Sequence, residues 1–288
     1  MIPFPDISPE IFTIRLGEFA FSLRWYALAY LAGLLLGWWA VRALMRRPAL
    51  WGGTAPARAE QIDDLLSWII LGVIVGGRLG FVLFYEPAYY LSNPLDVIKV
   101  WQGGMAFHGG FAGVVVASYL WARHNAVPPL RLADALAVVA PIGLFFGRVA
   151  NFVNAELWGR PTSLPWGVIF RGEAAQACAD VTGPCARHPS QLYEAGLEGL
   201  ALGLILLLVV RAGGLRRAGL ALGVFLSVYG LARIFVEFYR VADAQFITPD
   251  NPLGHVIGGP VVGLSMGQLL SLPMVVIGLL FILRARRA

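Results

Sequence analysis

The sequence is short of charge. Only 14% of its 288 residues are Asp, Glu, Lys or Arg, against about 25% in soluble domains. That deficit excludes an ordinary soluble enzyme. It also excludes a disordered chain, which needs high net charge and few apolar residues. Lysine is nearly missing: Lys99 is the single lysine among 22 basic residues, and the rest are Arg. Arg presents phosphate with a planar fork of donors that Lys lacks. Cysteine is scarce as well. Cys178 and Cys185 form no C-x-x-C pair, and His108, His124, His188 and His255 show no paired metal spacing, so no metal is expected. The two cysteines share one polar segment, where a disulfide is open to them if that segment faces an oxidising compartment. No phosphate loop or dinucleotide fingerprint is present. The pI is about 9.5 and the net charge +5, but the basic residues form no single patch, so no nucleic-acid partner is expected. The first 24 residues carry Asp6, Glu10, Arg15, Glu18 and Arg24 without a basic leader or a small-residue cleavage site, so no cleavable signal peptide is expected.

What is abundant is apolar surface: 58% of the residues, with a mean hydropathy of +0.70. This composition is that of a polytopic membrane protein. A span needs about 20 mostly apolar residues. Seven stretches qualify, at about 19–41, 62–84, 105–122, 132–151, 192–210, 219–237 and 265–283. The expected fold is an all-α bundle of about seven transmembrane helices, one membrane domain over 1–288. Within it, the outer segment 152–191 is expected to form a small folded cap or an amphipathic arm, and the stretch 9–18 is expected to do the same. Glycine pairs four apart, such as Gly33/Gly37, Gly72/Gly76 and Gly109/Gly113, allow close helix packing.

Positive charge sets the orientation. With the N-terminus outside, twelve basic residues face the cytoplasm: Arg42, Arg46, Arg47, Arg58, Arg123, Arg131, Arg211, Arg216, Arg217, Arg284, Arg286 and Arg287. Seven lie in outer segments: Arg15, Arg24, Lys99, Arg160, Arg171, Arg187 and Arg240. The bias favours N-out and C-in.

Three basic residues remain inside spans: Arg78, Arg148 and Arg233. A charge at the bilayer centre costs at least about 2.5–3.5 kcal/mol, so such residues mark function by default. In this topology all three fall in the outer half of the membrane, with His108 and Tyr26 at the same level. One polar cavity facing the outer leaflet is expected. Arg148 and Asn151 share a helical face, with Asn154 beyond them, and Tyr229, Arg233 and Glu237 share another. His108 stands among Gly103, Gly104, Gly109 and Gly110. Those glycines would open access to an imidazole suited to act as a base near neutral pH. Gly263-Leu264-Ser265-Met266-Gly267 fits G-x-S-x-G, but that motif needs a preceding strand and none is expected. Ser265 and Gln268 read instead as a capping box. A transporter for an anionic solute also needs buried Arg. It would carry polar groups on to the cytoplasmic side, where these spans read as almost purely apolar.

The run Gly147-Arg148 to Asn151-Phe152, Asn154, Glu156-Leu157-Trp158-Gly159-Arg160 resembles the signature of the bacterial prolipoprotein diacylglyceryl transferases. So do Leu23-Arg24-Trp25-Tyr26, Gly77-Arg78-Leu79-Gly80, Gly104-Met105-Ala106-Phe107-His108-Gly109-Gly110, His188 to Glu194, and Tyr229 to Arg240. These follow family order over nearly the whole chain. The resemblance implies transfer of the diacylglyceryl group of phosphatidylglycerol to the lipobox cysteine of a prolipoprotein signal peptide. A thioether forms and glycerol phosphate leaves, in the bacterial inner membrane with the active site toward the periplasm. It implies His108 as base, Arg148 and Arg233 as the phosphate clamp and Tyr26 beside them. Arg78, Asn151, Asn154, Glu156, Gly159, Tyr229, Glu237 and Arg240 are implied in substrate binding, with Gly159 permitting a turn. No metal or soluble cofactor is implied. The partners are the two substrates and the lipid bilayer.

Overall fold

The computed structural model describes residues 1–17, 19–178, 183–259 and 261–287. Glu18, and residues 179–182 of the expected cap, lie outside the described residues. The apolar stretches fold into helices. These are α1 (Trp25–Met45), α2 (Gln61–Phe84), α3 (Pro87–Ser92), α4 (Phe107–His124), α5 (Pro129–Val153), α6 (Glu173–Gln176), α7 (Ser190–Glu194), α8 (Leu202–Arg211), α9 (Leu220–Val236) and α10 (Met266–Arg287). A π-helical stretch, Ala195–Ala201, joins α7 to α8 in one rod, Ser190–Arg211. Large apolar side chains such as Leu204, Leu208, Leu270, Leu280 and Leu283 stand exposed along the rod and α10, as lipid-facing side chains do.

Helices occupy all seven expected stretches, though not all of them have the length and apolarity of a span. Among the described residues five helices are long and apolar enough to cross a membrane: α1, α2, α5, the rod Ser190–Arg211, and α10. α9 is apolar but only 17 residues long. α4 has 18 residues, diluted by His108, Gly109, Gly110, Gly113, Ser118, Arg123 and His124. The first span also starts later than expected, because 19–24 is a strand.

The all-α expectation is corrected. Among the described residues there are also three two-stranded ribbons. β1 (Ile2–Pro3) pairs in parallel with β4 (Val168–Ile169). β2 (Glu10–Leu16) and β3 (Phe19–Arg24) make an antiparallel hairpin. β5 (His255–Gly258) pairs with β6 (Gly263–Ser265). The hairpin is the expected arm, and its period is two instead of helical. Phe12, Ile14 and Phe21 fall on one face, and Thr13, Arg15, Ser22 and Arg24 on the other. Thr13 and Ser22 hydroxyls bond across it at 2.8 Å.

The chain forms two compact units, Met1–Gly37 with Ala137–Ala288, and Trp38–Leu136. It passes from one to the other inside α1 and inside α5. In the second unit α2 and α4 meet backbone to backbone. A Cβ on Gly72 would lie 2.6 Å from the Gly113 carbonyl, and one on Gly80 would lie 2.7 Å from the Gly109 Cα. The glycine pairs therefore serve packing, as expected. In the first unit, Gly223 of α9 faces the Gly278 carbonyl of α10. A small apolar core of Phe4, Val168, Phe170 and Ala175, with Phe152, Ala155 and Trp158 against it, forms within the cap. A disulfide joins Cys178 to Cys185. Buried Arg187 donates to the carbonyls of Ala175, Gly159 and Ala177 at 2.6, 3.3 and 3.1 Å, and lies 4.0 Å above the Trp158 ring.

Candidate active site

Three helices of the first unit bring their charges to one point. α5 supplies Arg148, the rod supplies Glu194 and Glu198 one turn apart, and α9 with its C-terminal extension supplies Arg233, Glu237 and Arg240. Glu194 and Glu198 are fully buried. Glu194 is the hub. One oxygen accepts from Arg233 Nη1 and from Arg240 Nη1 at 2.9 Å, and the other lies 3.3 Å from Arg148 Nη1. Glu237 takes Arg233 Nη2 at 2.6 Å and Arg240 Nε at 3.3 Å. Its second oxygen accepts from the Ser265 hydroxyl at 2.7 Å. Gly267 leaves room for this carboxylate, since a Cβ there would lie 2.6 Å from Oε1.

Arg148 is held differently from its neighbours. Its only close partners are Glu194 at 3.3 Å and Glu198 at 3.8 Å, and no hydrogen bond uses its donors among the described residues. A guanidinium with an open fork, beside two more guanidinium groups, is built to take a doubly coordinated anion.

The signature run wraps this cluster. Asn151 Nδ2 donates to Glu156 Oε1 at 2.7 Å, and Asn154 Nδ2 reaches the same oxygen at 3.4 Å. Gln191 donates to the Glu156 carbonyl, and Ser190 to the Leu157 carbonyl at 3.0 Å. Tyr26 bonds Tyr30 at 3.0 Å and lies within electrostatic reach of Glu156 and Arg148. Tyr229 is in reach of Glu198, Arg233 and Arg148. A groove of about 360 Å³ opens beside this run, lined by Ser8, Pro9, Glu10, Arg24, Asn154 and Glu156.

Gly159 has a role other than the expected one. The left-handed backbone of this turn falls on Ala155 and Leu157, at φ 53 and 56°. Gly159 is needed for close approach, since a Cβ would lie 2.8 Å from both the His188 carbonyl and its Cβ. Its neighbour Arg160 donates from Nε to the Arg240 carbonyl at 2.7 Å, which fixes the backbone behind the Arg240 side chain. Arg240 is thus held in the cluster from both its side chain and its backbone. Burial pulls the pKa of Arg160 below its ordinary value.

The remaining expected site residues, Arg78 and His108, belong to the second unit. Arg78 is buried and its guanidinium is taken up by four backbone carbonyls. These are Val97 at 2.8 Å, Gly103 at 2.6 Å, Gly104 at 3.2 Å and Asp96 at 2.6 Å. Gly103 and Gly104, with φ of 87 and 76°, turn those carbonyls toward it. In the loop that follows α2, Lys99 and then Tyr89 hold the Asp96 carboxyl below its usual range. His108 is exposed in the first turn of α4, edge-on to Phe107. The glycines around it are engaged elsewhere: Gly109 packs on α2, and Gly103 and Gly104 serve Arg78.

The structure also corrects the serine motif. β6 does precede Ser265 as a strand, yet Ser265 caps α10. Its Oγ accepts from Gln268 N at 3.2 Å and its own N–H donates to Gln268 Oε1 at 3.1 Å. This is the reciprocal capping box. Sequence reasoning passed over Glu194 as a charged group and missed Glu198. The signal was there: two acids one turn apart in a span that is otherwise apolar.

Apolar helices and a buried arginine–glutamate cluster define a polytopic membrane protein with a concentrated site of charge. The sequence matches the prolipoprotein diacylglyceryl transferase family over residues 11–284. It is 60% identical to the phosphatidylglycerol–prolipoprotein diacylglyceryl transferase of Cereibacter sphaeroides, over 99% of this chain and 98% of that protein. It is likewise 60% identical to the enzyme of that name from Ruegeria pomeroyi, with the same coverage. The identity to the one from Nitrobacter winogradskyi is 48%, over 99% of this chain and 90% of that protein. The chain belongs to the prolipoprotein diacylglyceryl transferase family, and is therefore an enzyme.

Proposed function

We propose that this enzyme moves the diacylglyceryl group of phosphatidylglycerol onto the lipobox cysteine thiol of a prolipoprotein, the first step of bacterial lipoprotein maturation. The sulfur attacks the glyceryl carbon, the carbon–oxygen bond to phosphate breaks, and glycerol phosphate leaves. The observation that carries this reading is the open fork of Arg148 beside Arg233 and Arg240. These guanidinium groups bind the headgroup phosphate and stabilise the charge it gains on leaving. A thiol has a pKa of about 8.5 and is mostly protonated at neutral pH, so it needs a base. His108 takes that role on the strength of its residue type and the family motif around it. Tyr26, Tyr229, Asn151, Asn154 and Glu156 orient the headgroup and the Arg148 side chain. Glu237 holds Arg233 and Arg240 in place, and Gly159 keeps the backbone behind Arg240 close. Arg78 shapes its loop for the substrates.

We further place the chain as one membrane domain in the bacterial inner membrane, with α4 and α9 as sixth and seventh spans beside the five long ones. The N-terminus and active site face the periplasm and the C-terminus faces the cytoplasm. The arginine bias supports this. So does the disulfide in the cap, since disulfides persist in oxidising compartments. The test is direct. The purified protein is incubated with labelled phosphatidylglycerol and a lipobox peptide. A mass gain of one diacylglyceryl unit on the cysteine is expected; an intact, lipid-bound protein that gives no gain refutes the reading.

A further inference from the structure

The cluster holds three arginines and three glutamates, and its charges balance. Two of the glutamates are held tightly. Glu194 meets all three arginines, and Glu237 meets Arg233, Arg240 and the Ser265 hydroxyl. Glu198 is the exception. It is fully buried, its nearest ion-pair partner is Arg148 at 3.8 Å, and neither of its carboxylate oxygens has a hydrogen bond among the described residues. The groups that face it are Arg148 from α5, Glu194 from its own rod, and Arg233, Arg240 and Tyr229 from α9 and its extension. It sits in the π-helical stretch Ala195–Ala201, and such stretches often mark functional sites. Gly199, beside it, lets the Phe145 backbone of α5 come close: a Cβ there would lie 2.9 Å from the Phe145 Cα.

A buried carboxylate without hydrogen bonds stays charged only through a nearby opposite charge. For Glu198 that charge is chiefly Arg148, the same group whose open fork suits the phosphate. An arriving monoanionic headgroup adds a negative charge to a balanced cluster and draws Arg148 toward itself. We propose that Glu198 is the positioning residue that releases Arg148 to the substrate, taking up one proton from water as the headgroup binds and returning it when glycerol phosphate leaves. The step is a protonation of one carboxylate, balanced by the proton alone. It rests on the phosphate-clamp reading above.

The test uses the full-length protein in phosphatidylcholine nanodiscs, titrated with short-chain phosphatidylglycerol. Calorimetry in buffers of different ionisation enthalpy counts the protons taken up. Wild type is expected to take up as much as one proton. Its affinity should weaken with rising pH, by up to about tenfold per pH unit within the titration window. Glu198→Gln, neutral from the start, should lose the slope and bind more tightly than wild type at the alkaline end. A merely structural Glu198 moves neither. Should Glu198→Gln fail to fold, difference infrared spectra of wild type decide. A protonated carboxyl band appearing on lipid binding supports the proposal, and its absence overturns it. Zero proton uptake, or an unchanged slope in Glu198→Gln, overturns it as well. If wild type still transfers diacylglyceryl in those cases, the function stands and only the Glu198 role falls. If wild type neither binds nor transfers, the phosphate-clamp reading fails first and this proposal with it.

Discussion

Arg78 and Arg148 read alike in the sequence, and the structure treats them in opposite ways. Each is an arginine late in an apolar span, preceded by glycine. Arg78 gives its donors to four backbone carbonyls, which carry no net charge and have no reason to exchange it. Arg148 gives its donors to none and rests between two carboxylates at ion-pair distance. Carbonyl partners make an arginine a clasp for a loop. Carboxylate partners make it a cation whose counter-ion can be swapped for another anion. The nature of the acceptors separates the two roles, and the membrane depth of the arginine does not.

The comparison is open to breaking. Arg148→Ala should cost the most: transfer to a lipobox peptide should fall by about a hundred- to a thousandfold, the usual loss when one donor to a developing anion is removed. Part of the loss will be stability, because buried Glu194 and Glu198 lose a charge that balances them, so activity is read per folded molecule. Full activity in this variant would remove Arg148 from the clamp. Arg78→Gln should show the reverse balance. Leaving four part-buried carbonyls without their donors should lower stability by about 1–3 kcal/mol, read as a fall in thermal midpoint in detergent. Activity should then drop in step with the folded fraction. A stable Arg78→Gln protein with weakened lipid binding would make Arg78 a second anion ligand.

The smallest effect concerns the backing of the Arg240 end of the cluster. His188 packs against Tyr239 and bonds the Tyr193 hydroxyl at 3.0 Å, next to Gly159. Burial holds the His188 imidazole below its ordinary value of 6.5, so the folded chain binds fewer protons here than the unfolded one. Its contribution to stability is complete above pH 6.5 and is lost as the pH falls through the depressed folded value. Thermal midpoints measured from about pH 7.5 to 5 should show this decline. His188→Gln should flatten that part of it.

Much of the fold was legible because apolar length is a coarse property. Every expected stretch became a helix, and the Ser265–Gln268 capping box formed as its spacing foretold. The strands were harder. β5 and β6 are too short to show a period, and a segment as short as Glu10–Leu16 does not separate a strand from an amphipathic helix by pattern alone. In the site, Arg148 and Arg233 are legible because charges in spans are rare, while Glu237 follows from its helical spacing to Arg233 and Arg240 from the family resemblance. Glu194 and Glu198 went unread because attention to positive charge, which sets topology, passed over the acids that position it. The glycines near His108 misled for another reason. Sequence shows where a Cβ is missing and cannot show which neighbour needs the space, and here the neighbours are α2 and the Arg78 loop.

The disulfide has one further consequence. Both cysteines of the chain are bonded to each other, and none is free. An enzyme that alkylates thiols in a lipid-lined site runs the hazard of alkylating itself. This one offers the diacylglyceryl donor no thiol of its own, so any thiol that reaches the site must arrive with the incoming protein.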